Sequence, residues 1–383
     1  MPYWRLSTFY LFYFASLGAL LPYWSLYLQH IGFSALEIGE LMAVLMATKI
    51  VSPNIWGWIA DHTGKRMAVV RIGSLLSVIA FVAVFVDTSY WWLMAVMLLF
   101  SFFWNATLPQ FETVTLKHLG SDTHRYSAIR LWGSIGFIVA VAVLGPLLEG
   151  DSVTLLPAIL LSIFIAIWVM SLLVPEQQSP PHHERQGSIT EVLKRPEVIA
   201  LLVVCFLMQA SHGPYYTFYS IYMEGYGYSR TLIGQLWALG VIAEVGVFLI
   251  MHRMVKGVGL KRLLMLAFSL AALRWWLTGA MPESLPVVLF SQLFHAASFG
   301  VFHAVAIAYF HRHFTGRHHG RGQALYSSVS FGAGGAFGAF YSGYVWDSMG
   351  GYVSFYIAGL MCLLALFIVW RFIDGAQGGE AAS

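Results

Sequence analysis

The sequence predicts an all-α polytopic membrane protein with twelve transmembrane helices in two six-helix halves. Of its 383 residues, 58% are hydrophobic and only 10% are charged, whereas a soluble globular domain carries about 25% charged residues. Disorder is excluded by 28 Phe, 19 Tyr and 14 Trp, because disordered segments are poor in aromatic residues. A chain of this length has room for roughly a dozen membrane crossings, since each crossing needs about 20 apolar residues.

Twelve apolar stretches separated by short polar breaks supply the predicted helices. They lie at 7–29, 37–58, 67–86, 90–113, 127–148, 154–174, 197–223, 231–251, 261–280, 285–310, 322–346 and 351–373. The first stretch is longer than the apolar core of a secretory signal and no small-residue cleavage site follows it, so we expect it to be retained. Cys205 and Cys362 each lie inside an apolar stretch and predict neither a disulfide framework nor a metal site.

The basic residues predict the orientation in the membrane. Of the 21 Lys and Arg residues, 17 lie at the termini and in the loops on the same side as the termini. Arg230 alone lies in a loop on the opposite side, and Lys49, Arg130 and Arg274 fall within helices. The positive-inside rule therefore places both termini in the cytoplasm of a bacterial-type inner membrane. Since the basic residues are dispersed singly, no nucleic-acid partner is expected.

A polar segment and an internal repeat divide the chain. The segment 175–196 is rich in Pro, His and charge and predicts a cytoplasmic linker between halves 1–174 and 197–373, with a cytoplasmic tail at 374–383. The run Ile38–Leu41 recurs as Ile233–Leu236, in a register that other weak matches share. Two halves related by a pseudo-twofold axis along the membrane normal are expected to hold a binding site between them, near the midplane.

Five residues between the second and third predicted helices form a motif: Gly57, Asp61, Gly64, Lys65 and Arg66. They match every diagnostic position of G-x-x-x-D-x-x-G-[RK]-[RK], and in this the chain resembles the major facilitator superfamily. The resemblance implies a transporter that works by alternating access. We interpret the motif as a conformational latch, in which the acid holds a neighbouring helix end or basic residue. The alternative, a basic turn that anchors topology, explains Lys65 and Arg66 alone.

A narrower resemblance is to the lactose permease and its relatives. Glu112 and Arg130 are eighteen residues apart, and Phe137 lies seven beyond Arg130, which is similar to the spacing of the charge pair and aromatic residue at the sugar site of that family. The run Arg130–Ser134, Arg274 with Trp275, Gln292, His295 and His303 resemble the phenylpropionate permease subgroup more closely. The resemblance implies proton symport of an aromatic carboxylate such as 3-phenylpropionate, with Glu112, Arg130 and Phe137 in the substrate site.

Charged residues inside the helices are the remaining site candidates. A charge at a helix centre costs about 2.5–3.5 kcal/mol on insertion scales, so such residues face the bundle interior and are functional by default. Lys49 and Glu244 occupy equivalent positions of the repeat, ten residues after Gly39 and Gly234. We predict that Lys49 binds an anionic substrate and that Glu244 exchanges the proton. The alternative is a structural ion pair between them.

For the other polar residues inside the membrane, the sequence allows more than one role. Arg130 either binds substrate or extends to the interface with Glu112 as its partner. Arg274 requires a pairing with Glu244 or a hydrogen bond near His295, and we assign it to proton coupling. His295 titrates near physiological pH and is assigned to proton coupling with Gln292 one turn before it, the alternative being a packed imidazole with one hydrogen bond. The roles of His212 and His303 stay open.

The sequence thus predicts a monomeric proton symporter for a small organic substrate in a lipid bilayer. The rival substrate is a neutral sugar or nucleoside. No catalytic residue, metal site or cofactor is expected, the proton being the coupling ion. The histidines at 311, 313, 318 and 319 are interpreted as a solvated loop rather than a zinc site. An enzyme or a sensor is disfavoured, because no HExxH, GxSxG or phosphate-loop motif and no added signalling domain is present.

Overall fold

Helices make up nearly all of the computed structural model, which describes residues 1–176 and 189–374. In these residues the long helices are α1 Tyr3–His30, α2 Ala35–Thr63, α3 Arg66–Phe85, α4 Tyr90–Leu119, α5 Tyr126–Leu147, α6 Gly150–Leu173, α7 Pro196–Gly225, α8 Arg230–Val258, α9 Leu260–Ala280, α10 Leu285–His313, α11 319–349 and α12 Gly351–Phe372. All but α2 and α11 are long and apolar enough to cross a membrane by length and composition. The predicted all-α membrane fold is confirmed.

The predicted linker and tail are described only in part. A single helical turn, Thr190–Leu193, precedes α7. Residues 177–188 of the linker at 175–196 lie outside the described residues, as do residues 375–383 of the tail at 374–383. The boundaries of the two halves therefore stay a prediction.

Local sequence signals define both ends of α2. The N–H of Ser34 donates to Oε2 of Glu37 (2.9 Å), and the N–H of Glu37 donates back to Oγ of Ser34 (3.3 Å), which is a capping box. At the other end Gly64 has φ +66°, a left-handed conformation that glycine adopts without strain. The motif glycine therefore ends α2 and turns the chain into α3.

Three helices are interrupted near the middle of the bundle. α7 breaks at His212, because Pro214 has no N–H with which to continue the helical hydrogen bonds. A Cβ on Gly213 would collide with the backbone of Gly338, so glycine lets α7 and α11 touch at this break. Wide π-helical turns interrupt α10 at Ala296–Val301 and α11 at Ser328–Gly334. Such turns are frequent at functional sites.

Two hydrophobic cores hold the bundle together. The first is built mainly by α1 to α6 and includes the stacked rings of Phe9 and Phe111, whose centroids are 3.7 Å apart. The second is built mainly by α7 to α12 around Trp275 and Phe355. Large apolar side chains such as Leu249, which is 75% exposed, cover the outside. An exposed apolar surface of this kind suits contact with lipid.

The two sets of helices touch closely at one end of the bundle. We call this end the far side, since it carries the α1–α2, α5–α6 and α7–α8 turns, and the opposite end the terminus side. A Cβ on Gly39 of α2 would lie 2.8 Å from the carbonyl oxygen of Ala339 in α11. A Cβ on Gly145 of α5 would lie 2.6 Å from the carbonyl oxygen of Arg230 in α8. Glycine therefore lets helix backbones from the two sets meet at both far-side seams.

Candidate functional site

Glu112 and Arg130, predicted as a charge pair, lie side by side on α4 and α5. Nε of Arg130 is 3.9 Å from Oε1 of Glu112, and each side chain is 32% exposed. The Arg130 guanidinium lies over the ring of Phe14 in α1, with its central carbon 3.8 Å from the ring centroid. Tyr126 is hydrogen-bonded to Glu112. Within the described residues Arg130 donates no hydrogen bond, so its donors are available to a ligand.

Lys49 lies in the middle of α2 and is partly buried. Its Nζ is 3.5 Å from Sδ of Met46, which is its only hydrogen-bond partner among residues 1–176 and 189–374. No ion pair joins it to Glu244 in that part of the chain, so this conformation contains no structural pair between the two repeat-related charges. Lys49 and Arg130 are therefore two cations in the first half that lack a hydrogen-bonded acid.

Arg274 in α9 is fully buried among neutral partners. Its Nη1 donates to Nδ1 of His295 (3.0 Å) and to Oγ of Ser298 (3.0 Å), and its Nη2 donates to Oε1 of Gln292 (3.2 Å). The guanidinium carbon is also 4.3 Å from the ring centroid of Tyr215. Of the two pairings that the sequence left open for Arg274, this structure contains the hydrogen bond to His295.

The Arg274 bond determines where the proton of His295 resides. Arginine has no acceptor, so Nδ1 of a neutral His295 carries the lone pair and Nε2 carries the proton. That Nε2 lies 3.5 Å from Oε2 of Glu244 in α8. The three residues thus form a continuous chain from a carboxyl group through an imidazole to a buried guanidinium, which we call the acid–imidazole–guanidinium chain.

Gln292 extends this chain into an aromatic wall on α7. Its Oε1 also accepts from the hydroxyl of Tyr215 (3.1 Å), and its Nε2 donates to the hydroxyl of Tyr219 (2.7 Å). The Tyr215 ring lies 4.2 Å from the ring of Trp237 in α8. Trp237 in turn lies 6.4 Å from Phe137 of α5, both side chains being buried. The predicted aromatic residue Phe137 therefore lies where the two halves meet.

Arg130 of the first half and Glu244 of the second half interact across the interface between the halves. Arg130 of α5 and His303 of α10 both interact electrostatically with Glu244 of α8. Along the seam between α5 and α8, contacts run from the far side to the rings of Phe137 and Trp237. Beyond those rings, toward the terminus side, no hydrogen bond or ring contact joins the described parts of α5 and α8. The α5–α8 seam is therefore closed toward the far side, while α2 and α11 also contact each other closer to the terminus side, through Ile50, Asn54 and Ser328.

Hydrogen bonds across the halves reinforce the far-side closure. Arg230 at the start of α8 donates to the carbonyl oxygens of Leu148 and Gly150, the second at 2.7 Å. The N–H and the hydroxyl of Thr231 both donate to Oε1 of Glu149, at 2.9 and 2.8 Å. We call this set of contacts the far-side clasp. It accounts for Arg230, the one basic residue that the sequence places on that side.

The predicted latch motif forms contacts within the first half. Asp61 pairs with Arg66, and Arg66 also donates to the side-chain oxygen of Gln110 in α4. Gly57 lies against the same Gln110 side chain, and Lys65 is exposed. Across residues 1–176 and 189–374, no ion pair connects Asp61 or Lys65 to the second half. The motif therefore joins α2, α3 and α4 in this conformation, and its role as a latch stays a prediction.

Several residues at the site were not predicted from the sequence. Phe14, Tyr215, Tyr219 and Ser298 have no charge and no motif spacing, so only their proximity to Arg130 and Arg274 identifies them. Nδ1 of His303 is hydrogen-bonded to the hydroxyl of Tyr326 at 2.8 Å. His212 is fully buried at the break in α7. Among the described residues, no group of three or more His, Cys, Asp or Glu is arranged to hold a metal ion.

A helical bundle of two halves, with charged residues at their interface and close backbone contacts at the far side, has the architecture of the major facilitator class. The chain belongs to the MFS_1 like family, whose profile matches residues 3–357. The family that the latch motif suggested is thereby confirmed, and the chain is a multi-pass membrane transporter of small molecules.

Similar proteins carry out transport of several substrates. The chain is 28% identical over 368 residues to the probable 3-phenylpropionic acid transporter of Escherichia coli (strain K12), covering 95% of this chain and 96% of that protein. It is 27% identical over 373 residues to the maltose permease of Geobacillus stearothermophilus, covering 95% and 94% of the two chains. The predicted resemblance to the phenylpropionate permease subgroup is confirmed.

Solved structures show the same fold. A crystal structure of a mutant of the nucleoside transporter NupG superposes with a TM-score of 0.87 at 16% identity, over 97% of this chain and all of that chain. The D-xylose-proton symporter superposes with a TM-score of 0.73 at 16% identity, over 99% of both chains. At these identities the likeness establishes the fold alone.

Proposed function

We propose that this protein is a proton-coupled symporter that takes up a small aromatic carboxylate such as 3-phenylpropionate by alternating access. The observation that carries the proposal is the distribution of charge across the site. Lys49 and Arg130 in the first half have no hydrogen-bonded acid among the described residues. Glu244 in the second half interacts electrostatically with Arg130 and is held by His295. In this proposal the cations of the first half bind the anionic substrate, and the carboxylate of Glu244 in the second half accepts the proton.

The buried guanidinium provides a physical basis for coupling. Arg274 has only neutral direct partners, and its charge is balanced by Glu244 through His295. When Glu244 binds a proton this balance is lost, and the site becomes more positive by one charge. A carboxylate substrate is then bound more tightly, and by linkage a bound carboxylate makes protonation of Glu244 more favourable by the same factor. One proton and one monocarboxylate enter together without net charge.

Orientation in the membrane follows from the basic loops. We assign the terminus side to the cytoplasm of a bacterial-type inner membrane, because 17 of the 21 Lys and Arg residues lie there. The far-side clasp then joins the α5–α6 turn to α8 at the external face. Alkaline phosphatase fusions would be active after Asp87 and inactive after Gly64 if this assignment is correct, and the reverse pattern would contradict it.

The similarity to one relative and the aromatic residues of the site support an aromatic carboxylate as the substrate. One relative is a probable 3-phenylpropionic acid transporter, and the rings of Phe137 and Trp237 contact each other about two helical turns along α5 and α8 from Arg130 and Glu244. Rings stack favourably on such faces. The rival substrates are a neutral sugar or nucleoside, favoured by the similarity to a maltose permease and to the fold of NupG. The absence of an ion pair between Lys49 and Glu244 in the described residues favours the anion.

Uptake into proteoliposomes tests the proposal. Purified full-length protein is reconstituted, and labelled 3-phenylpropionate, maltose and uridine are supplied in parallel with or without an acid-outside pH gradient. We expect accumulation of 3-phenylpropionate that requires the gradient. Accumulation that ignores the gradient would remove proton coupling. Uptake of maltose or uridine in place of 3-phenylpropionate would establish the rival substrate class.

A further inference from the structure

We propose that Phe14 and Gly133 are positioning residues that hold the guanidinium of Arg130 in its ligand-binding orientation. The central carbon of that guanidinium lies 3.8 Å from the centroid of the Phe14 ring. At this distance the cation is attracted by the electron-rich face of the ring. Phe14 belongs to α1 and Arg130 to α5, so the contact also joins two helices of the first half.

The acid beside Arg130 does not fix its orientation. Nε of Arg130 is 3.9 Å from Oε1 of Glu112, and no hydrogen bond joins the two side chains in the part of the chain that is described. Both side chains are about one-third exposed, where an ion pair is worth little. The ring face is therefore the closer and more directional contact. A second ring, that of Tyr10, is farther away, at 5.7 Å from the guanidinium carbon. Since neither ring accepts a conventional hydrogen bond, the Phe14 contact leaves the N–H donors of Arg130 for a carboxylate.

Gly133, one turn after Arg130 on α5, provides the space for this arrangement. A Cβ at this position would lie 2.6 Å from Nη1 of Arg130 and 2.7 Å from Cδ2 of Phe14. Both distances are shorter than non-bonded atoms normally approach a Cβ, so a methyl group would displace the guanidinium, the ring or both. Nη1 is at the end of a flexible side chain, and no backbone atom is among the three nearest to that Cβ. Gly133→Ala should therefore fold and disturb the stack.

This inference rests on the proposed function, because it assumes that Arg130 binds the substrate carboxylate. A substrate-free measurement separates the two. Phenylglyoxal reacts with exposed guanidinium groups, and the modification of Arg130 in the purified full-length protein is followed by mass spectrometry of its peptide. If 3-phenylpropionate is not a substrate, the stack on Phe14 still predicts the order of modification rates in the variants.

Phe14→Leu and Phe14→Tyr form a matched pair for the modification test. Leu keeps an apolar side chain of similar size but has no aromatic face, so we expect Arg130 to be modified about fivefold faster. Tyr keeps the face and should keep the protection. Gly133→Ala should raise the rate in the same direction as Phe14→Leu. Gly246→Ala, at a helical position with no neighbouring atom within 4 Å of a Cβ, is the control and should leave the rate at the wild-type value.

Transport provides the second readout. Phe14→Leu and Gly133→Ala should raise the KM for 3-phenylpropionate about fivefold and change the maximal rate much less, since they affect the orientation of one ligand group. Equal modification rates and equal KM values for Phe14→Leu and Phe14→Tyr would overturn the proposal, because the aromatic face would then have no effect. A fall in maximal rate at unchanged KM would likewise overturn it.

Discussion

His295 lies between Glu244 and Arg274, with Nε2 facing the carboxyl group at 3.5 Å and Nδ1 accepting from the guanidinium at 3.0 Å. One imidazole ring thus separates the acid that we assign to the proton from the buried cation that balances it. Because the His295 ring is neutral and its proton lies on Nε2, a change in the charge of Glu244 changes the electrostatic environment of Arg274. Variants of the acid–imidazole–guanidinium chain are therefore the most direct tests of coupling.

Glu244→Gln should abolish accumulation against a gradient and spare counterflow exchange. Glutamine cannot release a proton, and it resembles the protonated acid in shape and charge, so the site can still bind and exchange substrate. The measurement is labelled 3-phenylpropionate in proteoliposomes, with a pH gradient for accumulation and with internal unlabelled substrate for counterflow. Glu283→Gln, in an exposed turn on the far side, is the control. Equal loss of both activities would show that Glu244 is not specifically the proton carrier.

Lys49→Met should weaken the binding of anions far more than that of neutral analogues. Methionine retains the unbranched apolar stem of Lys49 and removes its positive charge. The loss of this charge should weaken the binding of a carboxylate strongly, because the site lies within the membrane. We expect the inhibition constant of 3-phenylpropionate to rise about tenfold and that of 3-phenylpropanol to change little. Competition for labelled substrate measures both. Lys256→Met, at an exposed position of α8, controls for loss of charge alone, and an equal change for both ligands would refute an anion site at Lys49.

Arg274→Lys should destabilise the protein even though it keeps the charge. The lysine ammonium cannot bond His295, Ser298 and Gln292 in the geometry of the guanidinium, and each acceptor left unpaired in the interior costs about 1–3 kcal/mol. A fall in the melting temperature of the detergent-solubilised protein, with loss of pH-driven accumulation, is the expected result. Arg371→Lys, at an exposed position near the end of α12, is the control. An unchanged melting temperature would mean that the three bonds contribute nothing to stability.

Glu149→Ala should loosen the far-side clasp and shift the protein toward an outward-open state. The change removes the acceptor of both Thr231 bonds, each worth about 1 kcal/mol. The buried seam residue Val141 reports on opening when it is replaced by Cys in a background lacking the two native cysteines. We expect faster alkylation of that cysteine from the far side. Asp151→Ala, two residues away and exposed, should not change the alkylation rate; if it did, the seam would be responding to loop charge in general.

The far-side clasp should hold across the physiological pH range. Burial alone raises the pKa of Glu149, but hydrogen bonds from Thr231, with help from Arg230, outweigh it and keep the pKa below its ordinary value. Because the pKa of Glu149 is lowered in the folded protein, the hydrogen bonds to its ionised carboxylate contribute to closure at any pH above the ordinary pKa of about 4.3. This contribution is lost as the pH falls through the lowered pKa. Alkylation of the seam cysteine should therefore be independent of pH between 5 and 8. A rise in alkylation within that window would assign proton sensing to the clasp.

Asp61→Asn should slow transport and leave substrate affinity unchanged. Asparagine cannot form the ion pair with Arg66, and the link from Arg66 to Gln110 of α4 loses its anchor. If the motif controls the movement of the halves, the maximal rate should fall while the dissociation constant, measured by titration in detergent, stays at the wild-type value. Asp122→Asn, in the exposed α4–α5 turn, is the control. A changed dissociation constant with a normal rate would contradict the latch.

The long apolar stretches predicted the helices well, because the bilayer imposes a fixed length and composition on each span. The ends were less predictable: α2 continues to Thr63 and α8 to Val258, each several residues beyond its apolar stretch, since helical hydrogen bonds continue into the polar layer. The wide turns at Ala296–Val301 and Ser328–Gly334 were not predicted, because no local residue pattern marks them. The break at His212 had a local signal in Pro214, which lies within one continuous apolar stretch and was not used.

The charged site residues were predictable for a different reason. A charge inside a bilayer is rare, so Lys49, Arg130, Glu244 and Arg274 stood out without any knowledge of their surroundings. The sequence pattern does not show which residues pair or form hydrogen bonds with these charged side chains. The sequence left Arg274 with two pairings, and only the placement of α9 against α10 selects His295. Phe14 was missed because an aromatic residue in an apolar helix has no distinguishing signal until its distance to Arg130 is known.

The assignment of charges to separate helices has a consequence for how such a protein can diversify. The cations Lys49 and Arg130 belong to helices α2 and α5, while the acid–imidazole–guanidinium chain lies wholly within α8, α9 and α10. Ligand choice and energy source are thereby encoded in different stretches of the gene. Under the proposed function, an exchange of the first six helices between relatives would then change the cations presented to the substrate and keep both the proton-binding group and the Trp237 ring of the second half.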